Sequence, residues 1–198
     1  MIEVCNDFYD EVTELKQFLK DLKEEDWHKE TGFNQWTPWD IVAHLHFYDE
    51  FSLIALRGGD AFDYAKEEIL KDYKEGKSNQ MIARLKYSDL GGNELLKKWE
   101  NTAFKLSKSL GERDVKMRIP WFGPDMGVQM FVTARYMETW AHSQAIYDLL
   151  KIDGYYYGVT PMSGWVEHGF YQFSPVFFRD AFKDKWETVF LKILNFKI

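Results

Sequence analysis

The stretch Ala134-Arg135-Tyr136-Met137-Glu138-Thr139-Trp140-Ala141-His142 decides the fold. Extended on both sides it reads Phe131, Ala134, Glu138, Ala141, His142, Ala145, Leu149, the spacing of one helix face. That spacing predicts a helix over 128–150 with this face turned inward. Glu138 and His142 lie four positions apart, so they sit side by side on the face. A carboxylate buried there is costly unless something compensates it. A second helix supplies a partner. Thr37-Pro38-Trp39-Asp40 offers an N-cap hydroxyl, a proline for the first turn and a carboxylate near the free amides. The helix it starts runs to Gly58-Gly59, with Ile41, His44, Leu45, Tyr48, Ser52 and Ala55 inward. Two imidazoles and a carboxylate converging inside a bundle predict a divalent metal with open coordination positions.

Outward from these two helices the pattern stays helical. Residues 3–23 carry Cys5, Phe8, Val12, Leu15, Leu19 and Leu22 on a narrow apolar seam, as a bundle helix requires. In that register Cys5 is a small core residue, because a reactive thiol needs an electropositive, accessible setting. Residues 60–75 read as a short amphipathic helix with Phe62, Ile69, Leu70 and Tyr73, and residues 81–85 follow a polar break. After Gly91-Gly92-Asn93 a third long helix turns Leu95, Leu96, Trp99, Ala103, Leu106 and Leu110 inward. Two prolines and a glycine around Trp121-Phe122 predict a stiff loop before the 128–150 helix. The predicted fold is all-α: an up-and-down four-helix bundle over 1–150 with one inserted helical excursion. Residues 151–198, with Tyr155, Trp165, Phe170, Phe182 and Trp186, form an aromatic-rich C-terminal extension. It is expected to pack on the bundle or on a partner subunit, which would make a homodimer.

Bulk properties narrow the function classes. The 198 residues are 45% hydrophobic and 18% aromatic, which suits a globular domain with a full core. A net charge of −7 argues against an electrostatic grip on nucleic acid. No run is long and apolar enough to span a membrane, and the first residues lack the basic-then-apolar order of a signal peptide. One cysteine excludes an internal disulfide framework. The expectation is a cytoplasmic protein with no nucleic-acid or membrane partner.

The candidate ligands are His44, Glu138 and His142, since three protein ligands leave room for water or substrate. His46 points to another face of its helix and is expected in a partly exposed cluster with Asp49 or Glu50. His28 and His168 read as surface residues. Arg135, one turn before Glu138, either pairs with a neighbouring carboxylate, Glu138 or one at the surface, or steers an anionic substrate. Tyr48 and Trp121 are candidates for lining the pocket, with a plain core role as the alternative.

The segments Trp36-Thr37-Pro38-Trp39-Asp40-Ile41-Val42-Ala43-His44-Leu45 and Ala134 through His142, with the Pro120-Trp121-Phe122-Gly123-Pro124 loop, resemble the DinB/YfiT-like superfamily. More narrowly, they resemble its mycothiol-dependent maleylpyruvate isomerase-like metal-binding branch, over roughly residues 1–150. The resemblance implies a four-helix bundle in which His44, Glu138 and His142 hold one divalent metal, zinc in first place, with nickel, iron and manganese as alternatives. It also implies thiol chemistry. Such proteins bind a low-molecular-weight thiol, mycothiol or bacillithiol, as thiolate and use it against an electrophile in S-transfer or cis–trans isomerisation. The expected small-molecule partners are therefore a thiol and an electrophile. Two other readings stand beside this one: a metal-binding or stress-associated bundle without catalysis, and a non-haem iron oxygenase, which a helical scaffold disfavours.

Overall fold

The computed structural model describes residues 2–150, so the expectations for the 151–198 extension lie outside the described residues. Six α-helices are present among them: α1 (Glu3–Leu19), α2 (Pro38–Ala55), α3 (Asp60–Lys74), α4 (Asn79–Tyr87), α5 (Gly92–Gly111) and α6 (Val128–Leu150). Between α5 and α6 lies a small antiparallel pair, β1 (Arg118–Ile119) and β2 (Met126–Gly127), with Arg118 opposite Gly127 and Ile119 opposite Met126. The long helices make the bundle: α1 packs on α5 and α6, and α2 packs on the same two. The excursion, α3 and α4, lies against α2. The fold is the all-α bundle the periodicity predicted.

Local chemistry sets the element boundaries. Asp40 N donates to Thr37 Oγ1 at 3.2 Å and Thr37 N donates to Asp40 Oδ2 at 2.9 Å, a reciprocal cap that starts α2. The same carboxylate anchors α4, receiving Arg84 Nε at 2.6 Å, Arg84 Nη2 at 2.7 Å and Gln80 Nε2 at 2.9 Å. Burial pushes the Asp40 carboxyl up, but the bonds from Arg84, Thr37 and Gln80 outweigh it and hold its pKa below the ordinary value. Gly58 and Gly59, at φ 63° and 66°, turn the chain from α2 into α3.

Helix α1 stops at Leu19, short of the predicted residue 23. The chain turns there, Leu22 N donating to Leu19 O at 3.1 Å, and a 3₁₀ turn at Glu24–His28 sends Trp27 wholly into the core. Trp27 lies so close to the first turn of α5 that a Cβ on Gly92 would fall 2.3 Å from its ring. On α3, Phe62 and Ile69 are buried as predicted, while Leu70 and Tyr73 are exposed.

The buried face of α6 differs from the predicted one. It consists of Val128, Phe131, Val132, Arg135, Thr139, Ser143 and Ile146, whereas Ala141 and half of Glu138 are exposed. The predicted stripe was therefore one position out, roughly 100° around the helix. The cause is chemical: three residues of the true core face are polar. Thr139 Oγ1 donates to Arg135 O at 3.1 Å, Ser143 Oγ donates to Trp140 O at 2.8 Å, and Arg135 reaches a carboxylate on α2. Hydrogen bonds make the burial of such groups tolerable, and they leave no hydrophobic signature.

Candidate metal centre

His44 on α2 meets Glu138 and His142 on α6. Each histidine Nε2 lies 3.5 Å from the same oxygen, Glu138 Oε2, and one ligand atom from each of the three residues falls within 4.8 Å of the others. The imidazole rings are 4.8 Å apart, centre to centre. The His44 side chain is 6% exposed, His142 15% and Glu138 47%, so the group opens to one side. Neither nitrogen of His44 has a hydrogen-bond partner among the described residues. Zinc–ligand distances of about 2.0–2.2 Å place tetrahedral ligand pairs about 3.4 Å apart. Both nitrogen–oxygen separations here match that figure, and an orphaned buried imidazole nitrogen is what a cation would satisfy. The donor set fits a divalent metal.

Electrostatics favour the binding forms of the ligands. His142 and His44 hold the Glu138 carboxyl far below the usual range, so it is ionised. Burial, against the opposing pull of Glu138, lowers the His44 pKa, so that ring is neutral at physiological pH.

An aromatic wall fixes the rings. Trp36 lies flat against His142, 2° from parallel at 5.7 Å, and meets His44 edge-on at 5.2 Å. Phe33 meets His142 edge-on at 5.2 Å. Both come from a tight loop in which Asn34 and Gln35 take left-handed φ of 47° and 59°. Trp36 O accepts from Thr31 N at 2.8 Å and Trp36 N donates to Phe33 O at 2.8 Å, which holds that strained turn closed. The Gly32-Phe33-Asn34 run beside Trp36 is the sequence signal for this turn.

The triad borders a cavity of about 200 Å³ whose wall includes His44, Tyr48, Trp121, Phe131, Arg135 and Glu138. Tyr48 and Trp121 thus line the pocket. The Tyr48 hydroxyl lies 2.6 Å from that of Tyr73 on α3 and donates to Asn79 Oδ1 on α4 at 2.9 Å. Trp121, in the β1–β2 loop, packs on Phe51 and Phe131 at 5.1 Å each, and its carbonyl accepts from Lys66 Nζ at 2.9 Å.

Two expectations need correction. Arg135 is neither a surface residue nor a partner of Glu138. It is buried, and its Nε donates to Asp49 Oδ1 on α2 at 2.9 Å, while Asp49 Oδ2 accepts from Trp99 Nε1 at 3.0 Å. Asp49, expected in a partly exposed cluster with His46, is instead wholly buried, one turn beyond Leu45 on the inward face of α2. His46 is buried rather than partly exposed, stacked near Tyr87 at 4.9 Å and 3.7 Å from Glu50. Burial lowers its pKa to about 4. It is buried although it lies on a different face of the helix from His44, because α2 is covered on several sides, by α3, α4, α5 and α6. His28 is exposed beside Glu24, as predicted, and His168 lies outside the described residues.

With this geometry in hand, comparison places the chain. Residues 8–147 match the family described as the mycothiol maleylpyruvate isomerase N-terminal domain. The chain belongs to that family. Its members are DinB-like bundles associated with mycothiol and with metal binding. Two relatives from Mycobacterium tuberculosis, uncharacterized protein Rv0036c of strain H37Rv and uncharacterized protein MT0041 of strain CDC 1551, are each 27% identical over 143 residues. Those residues are 72% of this chain and 54% of each relative, so the chain spans about half the length of the curated relatives it matches. No solved structure gives a significant match. Among the described residues, no helix is long and apolar enough to cross a membrane.

Proposed function

We infer that this protein is a metal-dependent thiol transferase or maleylpyruvate isomerase-like enzyme, with His44, Glu138 and His142 as the metal ligands. The observation that carries the reading is one carboxylate oxygen 3.5 Å from two imidazole nitrogens at the edge of a cavity. A divalent cation held there, zinc by preference, stabilises a thiolate and lowers the effective pKa of the thiol. The chain supplies the rest. Trp36 and Phe33 keep the His142 ring in place, and Trp121 and Phe131 give the cavity apolar faces. Tyr48 and Arg135 provide polar contacts on the same wall.

The cavity lies below the 300–1,000 Å³ of drug-sized sites, so only the sulfur-bearing end of mycothiol or bacillithiol enters with the electrophile. In transfer, the carbon–sulfur bond forms as the leaving group departs with its electron pair. In isomerisation the thiolate adds to one carbon of a double bond, whose π pair moves to the adjoining carbon; the bond, now single, rotates, and the pair re-forms the double bond as the carbon–sulfur bond breaks with its electrons on sulfur. Neither course needs an oxidant or a reductant. A cytoplasmic location suits a reaction that depends on reduced thiols.

The test is metal content, by elemental mass spectrometry, of the purified protein beside His44→Ala and His142→Ala. About one metal per chain, lost in both variants, is the expected result. Absence of metal from the unaltered protein after reconstitution, or full occupancy in either variant, overturns the assignment. Turnover of thiol–electrophile pairs by the loaded protein then separates an enzyme from a metal-binding bundle without catalysis.

A further inference from the structure

Helix α3 is held far more loosely than the elements on either side of it. Of its 15 residues only Phe62 and Ile69 are buried. Before it, α2 runs through the core, and after it α4 is tied to the buried Asp40 by the Arg84 fork. Both junctions are glycines in the left-handed region, Gly58 and Gly59 ahead of α3 and Gly76, at φ 83°, behind it. A Cβ on any of the three would meet nothing within 4 Å, so backbone conformation and not packing calls for glycine there. Residues of this kind at the ends of an element absorb a rotation of it.

Two side chains of α3 bond to the body of the protein, and both reach residues that line the cavity. The Tyr73 hydroxyl lies 2.6 Å from the Tyr48 hydroxyl and 2.6 Å from Asn79 Oδ1, and Lys66 Nζ donates to Trp121 O at 2.9 Å. Tyr48, Asn79 and Trp121 are all on the cavity wall. Among the described residues the one other side-chain bond from α3 is local, Lys77 Nζ donating to Asp72 in the linker that follows. The Tyr73 attachment is itself short of hydrogens. Tyr48 also reaches Asn79 Oδ1, at 2.9 Å, so two phenolic hydrogens serve three contacts and one of them is always unmade. Beneath, the Phe62 ring meets Phe51 at 5.4 Å, and Phe51 carries Trp121 and Phe122 at 5.1 Å each.

We propose that α3 is a hinged brace for the cavity, which swings on its glycine ends, draws the Trp121 loop with it and so opens the wall for a ligand to enter or leave. In the closed position Tyr73 steadies Tyr48 and Lys66 steadies Trp121. Because Lys66 holds a main-chain carbonyl, its departure moves the loop and not one side chain alone. The loop is closed at its base by the β1–β2 pair, where Met126, another wall residue, lies opposite Ile119. The device depends on neither the metal nor the thiol chemistry.

Backbone hydrogen exchange of the full chain, read by mass spectrometry, tests the brace. Helix α3 and the β1–β2 pair are expected to exchange through one shared opening, faster than α5. Tyr73→Phe removes one hydrogen bond at a point that does not touch the loop. It is expected to speed exchange in α3 and in the β1–β2 pair alike, by roughly three- to tenfold, and to leave α5 unchanged. Lys66→Met cuts the link, so adding Tyr73→Phe to it is expected to speed α3 alone. Tyr73 is exposed and Lys66 half-buried, so both variants keep the core intact. Acceleration confined to α3 in Tyr73→Phe, acceleration of the whole bundle, no acceleration at all, or a β1–β2 pair that still follows α3 in the double variant each overturn the proposal.

Discussion

Asp49 accepts from two buried donors on different helices, the Arg135 guanidinium and the Trp99 indole, and its removal strands both. Burial pushes the Asp49 carboxyl up, against the pull of Arg135. Breaking one side of such a pair is far more damaging than replacing both sides by apolar groups. Asp49→Ala should lose about 3–5 kcal/mol in urea unfolding, while Asp49→Leu combined with Arg135→Met should recover most of it. An additive loss in the double variant would show that the pair is not a unit. This residue also marks what sequence reading can reach. Glu138 and His142 were legible because four residues along a helix is a fixed distance in space. Arg135 and Asp49 are 86 residues apart, and no local spacing records that they touch.

At the level of elements, the start of α2 was legible because its signals, Thr37, Pro38 and Asp40, act within one turn. The attachment of α4 through Arg84 was not, since it crosses 44 residues. Asp40→Asn should lower stability by about 1–2 kcal/mol at neutral pH, a figure held down because Arg84 is half exposed. Because folding depresses the Asp40 pKa below its ordinary 3.8, the carboxylate's contribution is complete above that value. It disappears as pH falls through the lower, folded value. The gap between the two proteins in stepwise urea titrations should thus be flat from pH 6 to 8 and close only below about pH 4. A gap that closes near neutrality would point to another group. The opening of α5 gives a prediction of unusual sign. Alanine is the better helix former, yet Gly92→Ala should destabilise by about 2 kcal/mol in the same assay, because the new methyl meets the immobile core of the Trp27 ring. Helix α6 shows the opposite limit of legibility. Its core face is partly polar and its alanines lie on the flank, so apolar spacing alone pointed one position away.

For the whole molecule, the proposed metal would bridge α2 and α6, helices joined otherwise by side-chain packing and the Arg135–Asp49 pair. An ion that binds only the folded state adds stability by mass action, about 2.7 kcal/mol when its free concentration is 100 times its dissociation constant. Chelation should then lower the melting temperature by roughly 5–10 °C in a domain of this size and leave His44→Ala unmoved. An equal response in both proteins would place the ion elsewhere. The bundle was readable at this scale because α1 and α5 repeat an apolar interval along their whole length. The cavity was not, because α2, the β1–β2 loop, α4 and α6 must converge to enclose it.

The parallel stacking of Trp36 on His142 has an optical consequence. An indole in van der Waals range of a ring that would carry cobalt or copper loses its fluorescence to the paramagnetic ion, whereas zinc, with a filled d shell, leaves it emitting. Trp36→Phe should shrink that quenchable fraction of the emission, leaving the part contributed by Trp121 on the wall of the same cavity. Through this one stack, the protein holds a lamp that dims or stays lit according to which ion it carries.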